Sequence, residues 1–178
     1  MIDPLDGTAS YVRGFPGYAV SIGVEVDGQP AVGVVVDALG RRTEGVAGRG
    51  TLRDGRAVAP STVDDLEHAV LATGFGYEPA DRVGEARVLE ELIGRVADIR
   101  RSGSAAMDLC AVATGEVDAY YELYLAPWDV AAGRVIVEAA GGVFRQFPQP
   151  DGETLTVAAA AGLQEPLLAL LRSAGLSA

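Results

Sequence analysis

Apolar and polar residues alternate through the first third of the chain. Tyr18 to Val36 is apolar and β-branched, with Ala19, Val20, Ile22, Val24 and Val26 ahead of Asp27-Gly28 and Ala31, Val32, Val34, Val35 and Val36 behind it. An Asp-Gly pair between two such runs predicts a hairpin, because its tight turn needs two residues that tolerate positive φ. Shorter runs over 42–47 and 50–53, followed by Asp54-Gly55, continue the pattern, so this third reads as antiparallel sheet.

The period changes near Pro60. Residues 69–73 form a short apolar strand candidate, and 80–96 carry Val83, Ala86, Leu89, Leu92, Ile93 and Val96 at helical spacing. A further strand is expected at 98–100, a helix at 104–114, an extended piece at 117–121, and a helix from Pro127 to Ala140 that stops at Gly141-Gly142. Strands near 143–145 and 155–157 and a closing helix over 163–174 complete an α/β layer. The expected organisation is an antiparallel sheet portion, 1–60, and an α/β portion, 61–178, within one compact domain.

Composition narrows the function. The 14 basic residues are all arginine, none forms a run longer than two, and the net charge is −11, so a polyanion such as nucleic acid is not an expected partner. The single Cys110 cannot form an internal disulfide and the single His68 cannot support a His-rich zinc site, which suits the cytoplasm. No basic segment with an apolar run opens the sequence, and Arg134 and Glu138 interrupt the longest apolar stretch near the C-terminus, so neither export nor membrane spanning is expected.

The chemistry lies in two acidic motifs. Asp3-Pro4-Leu5-Asp6-Gly7-Thr8 sets two carboxylates three positions apart, and Trp128-Asp129-Val130-Ala131-Ala132-Gly133 supplies a third far downstream. Hard divalent cations take oxygen ligands, and Mg²⁺ is held by a few carboxylates beside a phosphorylated substrate. Pro4 stiffens the first motif so that Asp3, Asp6 and the Leu5 carbonyl can face one point. Gly7 permits a tight turn, and free amides where a short helix starts near Thr8 would favour a phosphate. Each piece also has a purely structural reading. Asp-Pro and Asp-Gly are turn elements, Asp6 or Thr8 could be a helix N-cap, Asp129 could cap the helix that follows, and Trp128 reads as an aromatic wall packed beside it.

Taken together, the two motifs resemble the signature pair of the inositol monophosphatase family of Mg²⁺-dependent, lithium-sensitive phosphatases. Gly103-Ser104-Ala105-Ala106 and Asp118-Ala119-Tyr120-Tyr121-Glu122 match the family in order and spacing, and the similarity covers nearly the whole chain. The resemblance implies a layered α/β/α/β/α sandwich, commonly a homodimer, that hydrolyses a small phosphate monoester without a covalent enzyme intermediate. By position, Asp3, Leu5 (through its carbonyl), Asp6 and Asp129 would bind Mg²⁺, and Thr8, with Asp6, would serve catalysis by orienting the attacking water. The amides of Gly7 and Thr8 would hold the phosphate, and Ala105 and Glu122 would line the pocket for the alcohol, Glu122 accepting from a sugar or inositol hydroxyl.

Two departures from the family accompany the match, the smaller being Ser10 where the family usually has asparagine after the Gly-Thr pair. The resemblance implies a helical segment and a hairpin ahead of the first motif, supplying a glutamate ligand and an acidic partner for the threonine. The expectation is therefore an N-terminally truncated member lacking its leading helices, with the apolar face of Val20, Ile22, Val24, Val34 and Val36 uncovered. The expected function is hydrolysis of inositol monophosphate or a related polyol or sugar phosphate. The alternatives are the same chemistry on histidinol phosphate, fructose bisphosphate or a 3′-phosphonucleotide, or an impaired, dimerising remnant.

Overall fold

The computed structural model describes every residue from Met1 to Ala178. Its first sheet is antiparallel and contains β1 (Ile2–Asp6), β2 (Ala19–Val26), β3 (Gln29–Asp37), β4 (Arg42–Val46), β5 (Gly50–Arg53) and β6 (Arg56–Val58), in that spatial order. A six-residue helix, α1 (Thr8–Arg13), joins β1 to β2. The hairpin turns are those expected: Asp27 and Gly28 have φ of 51° and 74°, and Asp54 and Gly55 have 50° and 77°, the mirror-image turn that matches strand twist.

The second sheet comprises β7 (Val70–Thr73), β8 (Asp98–Arg100), β9 (Ala119–Glu122), β10 (Val143–Pro148) and β11 (Thr154–Ala159) in the order β10-β11-β9-β7-β8. Strand β7 runs parallel to β8 and β9, and β11 runs antiparallel to β9 and β10. Four longer helices complete the chain: α2 (Pro79–Ile93), α3 (Ala105–Ala113), α4 (Pro127–Ala140) and α5 (Gln164–Ser173).

Burial defines the layers. One core joins Ala19 and Val35 of the first sheet to Leu109 and Ile136 of α3 and α4 and to Tyr120 and Ala158 of the second sheet, so these two helices lie between the sheets. The other face of the second sheet packs Leu71, Tyr121 and Val157 against Leu92 of α2 and Leu167 and Leu171 of α5. The result is a β/α/β/α stack, the mixed α/β sandwich class expected. On the outer face of the first sheet Val20, Ile22, Val24 and Val36 are each 38–45% exposed.

Two local devices carry the functional residues. Residues opposite each other in an antiparallel pair share a face, and residues three apart on one strand do not. Asp3 nevertheless pairs with Ser21 and Asp6 with Ala19, so β1 spends one extra residue between them. This bulge puts both carboxylates on the inner face with buried Ser21 and Ala19. Pro4 is tolerated within it because β1 is an edge strand. The second device is a row of glycines, Gly23, Gly33 and Gly45, in register across β2, β3 and β4. A Cβ on each would lie 2.7, 2.3 and 2.8 Å from Ala131, Ala132 and Ile136 of α4 respectively. Their bare backbones let α4, and Asp129 on it, approach the first sheet.

Two expectations are corrected. The apolar period in α2 marks its buried face only in part: Leu92 is buried, but Val83 and Ile93 are 57% and 58% exposed, and Glu85 and Val88 take inner positions instead. Glu85 is retained inside because its carboxylate accepts the Gly76 N–H at 2.9 and 3.1 Å. Trp128 is not a packed wall either; it is 52% exposed.

Candidate metal and substrate site

Asp3, Asp6 and Asp129 converge: each offers a carboxylate oxygen within 4.8 Å of the others. They arrive from the bulged edge strand and from the first turn of α4, and each is aimed by a backbone donor. Asp3 accepts the Leu5 N–H at 3.0 Å, and Asp129 accepts the Ala126 N–H at 2.8 Å. Asp129 therefore does cap α4, from its third residue rather than as the flanking N-cap, and the same carboxylate faces the cluster. Neither Asp6 nor Thr8 caps α1; that position is Gly7, at φ 80°, where a Cβ would lie 2.2 Å from the Gly17 carbonyl oxygen.

Asp6 is anchored across the chain. Its Oδ2 accepts from Ser104 Oγ at 2.7 Å and from the Ala106 N–H at 2.8 Å. Ser104 also caps α3 by accepting the Met107 N–H, so one hydroxyl ties a helix start to an acid. Sequence reasoning assigned neither Ser104 nor the Ala106 amide a role. The available signal was a serine directly before an apolar helix; its long-range partner has no local trace.

Electrostatics fit a cation. Burial raises the Asp6 carboxyl above its ordinary value, against the lowering effect of Ser104 and Ala106. Burial, then repulsion from Asp6 and Asp3, pushes Asp129 up to about 6. The penalty on ionising Asp6 and Asp129 is relieved by a bound divalent charge. An all-oxygen donor set with no histidine or thiol suits a hard ion such as Mg²⁺. The Leu5 carbonyl, between the two acids of the first motif, accepts from Thr8 Oγ1 at 3.0 Å.

The acids line a cavity of about 330 Å³ that also contains Gly7, Thr8, Ala105, Glu122 and Arg101. All the residues expected at the site thus border one space. The first amides of α1 have no carbonyl within the helix to which they can donate, and a ligand can satisfy them. Glu122, at the end of β9, accepts from Tyr120 Oη at 2.6 Å. Burial, only partly offset by that hydrogen bond, pushes its carboxyl up to about 8. Arg101 is the cationic side chain of the cavity, whereas Arg100 turns away to Asp98 at 2.6 Å. Asp118, part of the matched motif, holds β7 by accepting the Val70 N–H at 2.7 Å.

Comparison with known proteins gives a consistent picture. The model of the Inositol monophosphatase family matches residues 1–175. The chain is 42% identical over 181 residues to an inositol-1-monophosphatase of Mycobacterium leprae, covering 97% of this chain and 62% of that protein. It is 38% identical over 175 residues to the Nus factor SuhB of Escherichia coli, covering 96% of this chain and 65% of that one. Among solved structures, Mycobacterium tuberculosis SuhB superposes with a TM-score of 0.88 at 40% identity, over 98% of this chain and 71% of that one. The chain thus spans about three-fifths of the length of the curated mycobacterial relatives it matches.

Proposed function

The chain belongs to the inositol monophosphatase family, and on that premise we propose that it acts as a Mg²⁺-dependent phosphomonoesterase on inositol monophosphate or a closely related polyol or sugar phosphate. The observation that carries this reading is the convergence of Asp3, Asp6 and Asp129 in a cavity that also holds the start of α1 and Glu122. No helix is long and apolar enough to cross a membrane, and a small phosphorylated molecule suits the size of the cavity.

In this reading Asp3, Asp6, Asp129 and the Leu5 carbonyl hold the cation. When bound, it supplies positive charge against the phosphate and lowers the pKa of the nucleophilic water. The Gly7 and Thr8 amides receive the phosphate oxygens, which the open donors of a helix start favour. Thr8 Oγ1, already oriented by the Leu5 carbonyl, aligns the attacking water as a hydrogen-bonding group. Ser104 and the Ala106 amide keep Asp6 turned to the site. Ala105 bounds the pocket for the alcohol, and Glu122 accepts from one of its hydroxyls.

The proposed setting is the cytoplasm, where the lone, buried Cys110 stays reduced, and the proposed assembly is a homodimer. A net charge of −11 argues against a nucleic-acid partner. The test is a substrate panel with and without MgCl₂: inositol 1-phosphate, histidinol phosphate, fructose bisphosphate and a 3′-phosphonucleotide. Phosphate release that needs Mg²⁺ and is fastest for inositol 1-phosphate is expected; inertness towards all four would defeat the reading and favour an impaired remnant.

A further inference from the structure

Glu122 is held by two residues that have no part in the reading above. Tyr120 and Glu122 stand two apart on β9 and therefore share a face, the one turned towards α3 and α4. Tyr120 is fully buried, and its phenol donates to Glu122 Oε2 at 2.6 Å, the one hydrogen bond that this carboxylate accepts from the chain. A buried phenol needs such a partner, so the contact fixes one oxygen, and no group of the chain donates to Oε1 of this cavity-lining residue.

Gly74 closes the other side. Strand β7 runs parallel to β9 with Thr73 opposite Tyr121, and the next residue, Gly74, lies against the glutamate. A Cβ there would sit 2.1 Å from each of Glu122 Cδ, Oε1 and Oε2. The obstacle is the far end of a flexible side chain, and the backbone of Gly74 is not in the positive-φ region. An alanine can therefore be accommodated by the fold, but only by moving the carboxylate.

We propose that Tyr120 and Gly74 are positioning residues that fix the Glu122 carboxylate, with Oε2 held by the phenol and Oε1 left to a substrate hydroxyl, and that together they set the preference for a polyol leaving group. The inference rests on the phosphatase reading of the pocket. A phosphate ester whose leaving group has no hydroxyl to offer gains nothing from Oε1, so the two kinds of substrate separate its effect from general damage.

The test compares the full chain with Tyr120→Phe and Gly74→Ala, using inositol 1-phosphate and phenyl phosphate as probes in Mg²⁺, with initial rates and calorimetric binding measured in parallel. For inositol 1-phosphate, KM and Kd are expected to rise about tenfold in each variant, the upper end of what one ordinary hydrogen bond supplies. The kcat for that substrate should stay within about twofold, and all constants for phenyl phosphate should be unchanged. Equal losses for both probes, or no loss for inositol 1-phosphate in the folded variants, overturn the proposal, as does a wild-type chain that binds inositol 1-phosphate no better than phenyl phosphate. Preferential binding of inositol 1-phosphate without hydrolysis would instead refute the phosphatase reading, and the Kd contrast between variants would still decide the positioning roles.

Discussion

Replacing Asp108 with asparagine is expected to stabilise the fold at neutral pH and to leave it nearly unchanged in acid. Asp108 lies on α3 with only 4% of its surface exposed, and burial, partly offset by Ser102 beside it, pushes its carboxyl up to about 7 from an ordinary 3.8. The folded state thus keeps a proton that the unfolded chain releases anywhere between those values. Stability contributed by the neutral form is fully present below pH 3.8 and is lost as pH rises to about 7. The gap is about three pH units, and at about 1.4 kcal/mol per unit the ionised carboxylate costs the fold up to about 4 kcal/mol above pH 7. Asparagine never ionises and so removes that loss. Urea unfolding of both chains from pH 4 to 8 gives the difference; uncoupled carboxylates cancel, while Asp6 and Glu122, which repel the Asp108 charge, contribute to it in the same direction. A difference that does not grow with pH would refute the reasoning.

Three further outcomes follow from the packing and the site. Asp129→Ala should abolish calorimetric Mg²⁺ binding while costing the fold only about 1 kcal/mol, the ordinary loss of a helix-start hydrogen bond; unchanged Mg²⁺ affinity would show that Asp129 is only a cap. Gly33→Ala should destabilise the chain by about 1–3 kcal/mol in urea unfolding, as overpacking does. Because its Cβ would lie 2.3 Å from the Ala132 carbonyl of α4, it should also weaken Mg²⁺ binding by displacing Asp129, and wild-type affinity would refute that coupling. Cys110, buried with its thiol pushed up to about 12, should resist a thiol reagent in the native chain and react on unfolding; rapid native labelling would contradict its burial.

What was legible in the sequence had a local cause. Asp27-Gly28 and Asp54-Gly55 announce their hairpins because the turn itself requires those residues, and Pro127 and Gly141 bracket α4 for similarly local reasons. Strand β1 was not legible: a proline among acids reads as a turn, and only pairing with β2 makes it an edge strand. The bulge that brings Asp3 and Asp6 to one face depends on that pairing too, so their spacing of three suggested a shared ligand without showing how it could arise. The buried face of α2 was legible only at Leu92, because Glu85, a residue normally sent outward, is retained inside by the Gly76 amide. Ser104 and Gly74 each act on a side chain placed by tertiary or cross-strand geometry, where periodicity carries no information; Tyr120 shares a face of β9 with Glu122 by strand period, but their hydrogen bond has no signal of its own in the sequence.

The most direct test of the site is a calorimetric titration of the full chain with Mg²⁺, in the presence and absence of inorganic phosphate. The convergence of Asp3, Asp6 and Asp129 beside the open amides of α1 predicts saturable Mg²⁺ binding that phosphate tightens. Absence of saturable binding under both conditions would contradict it.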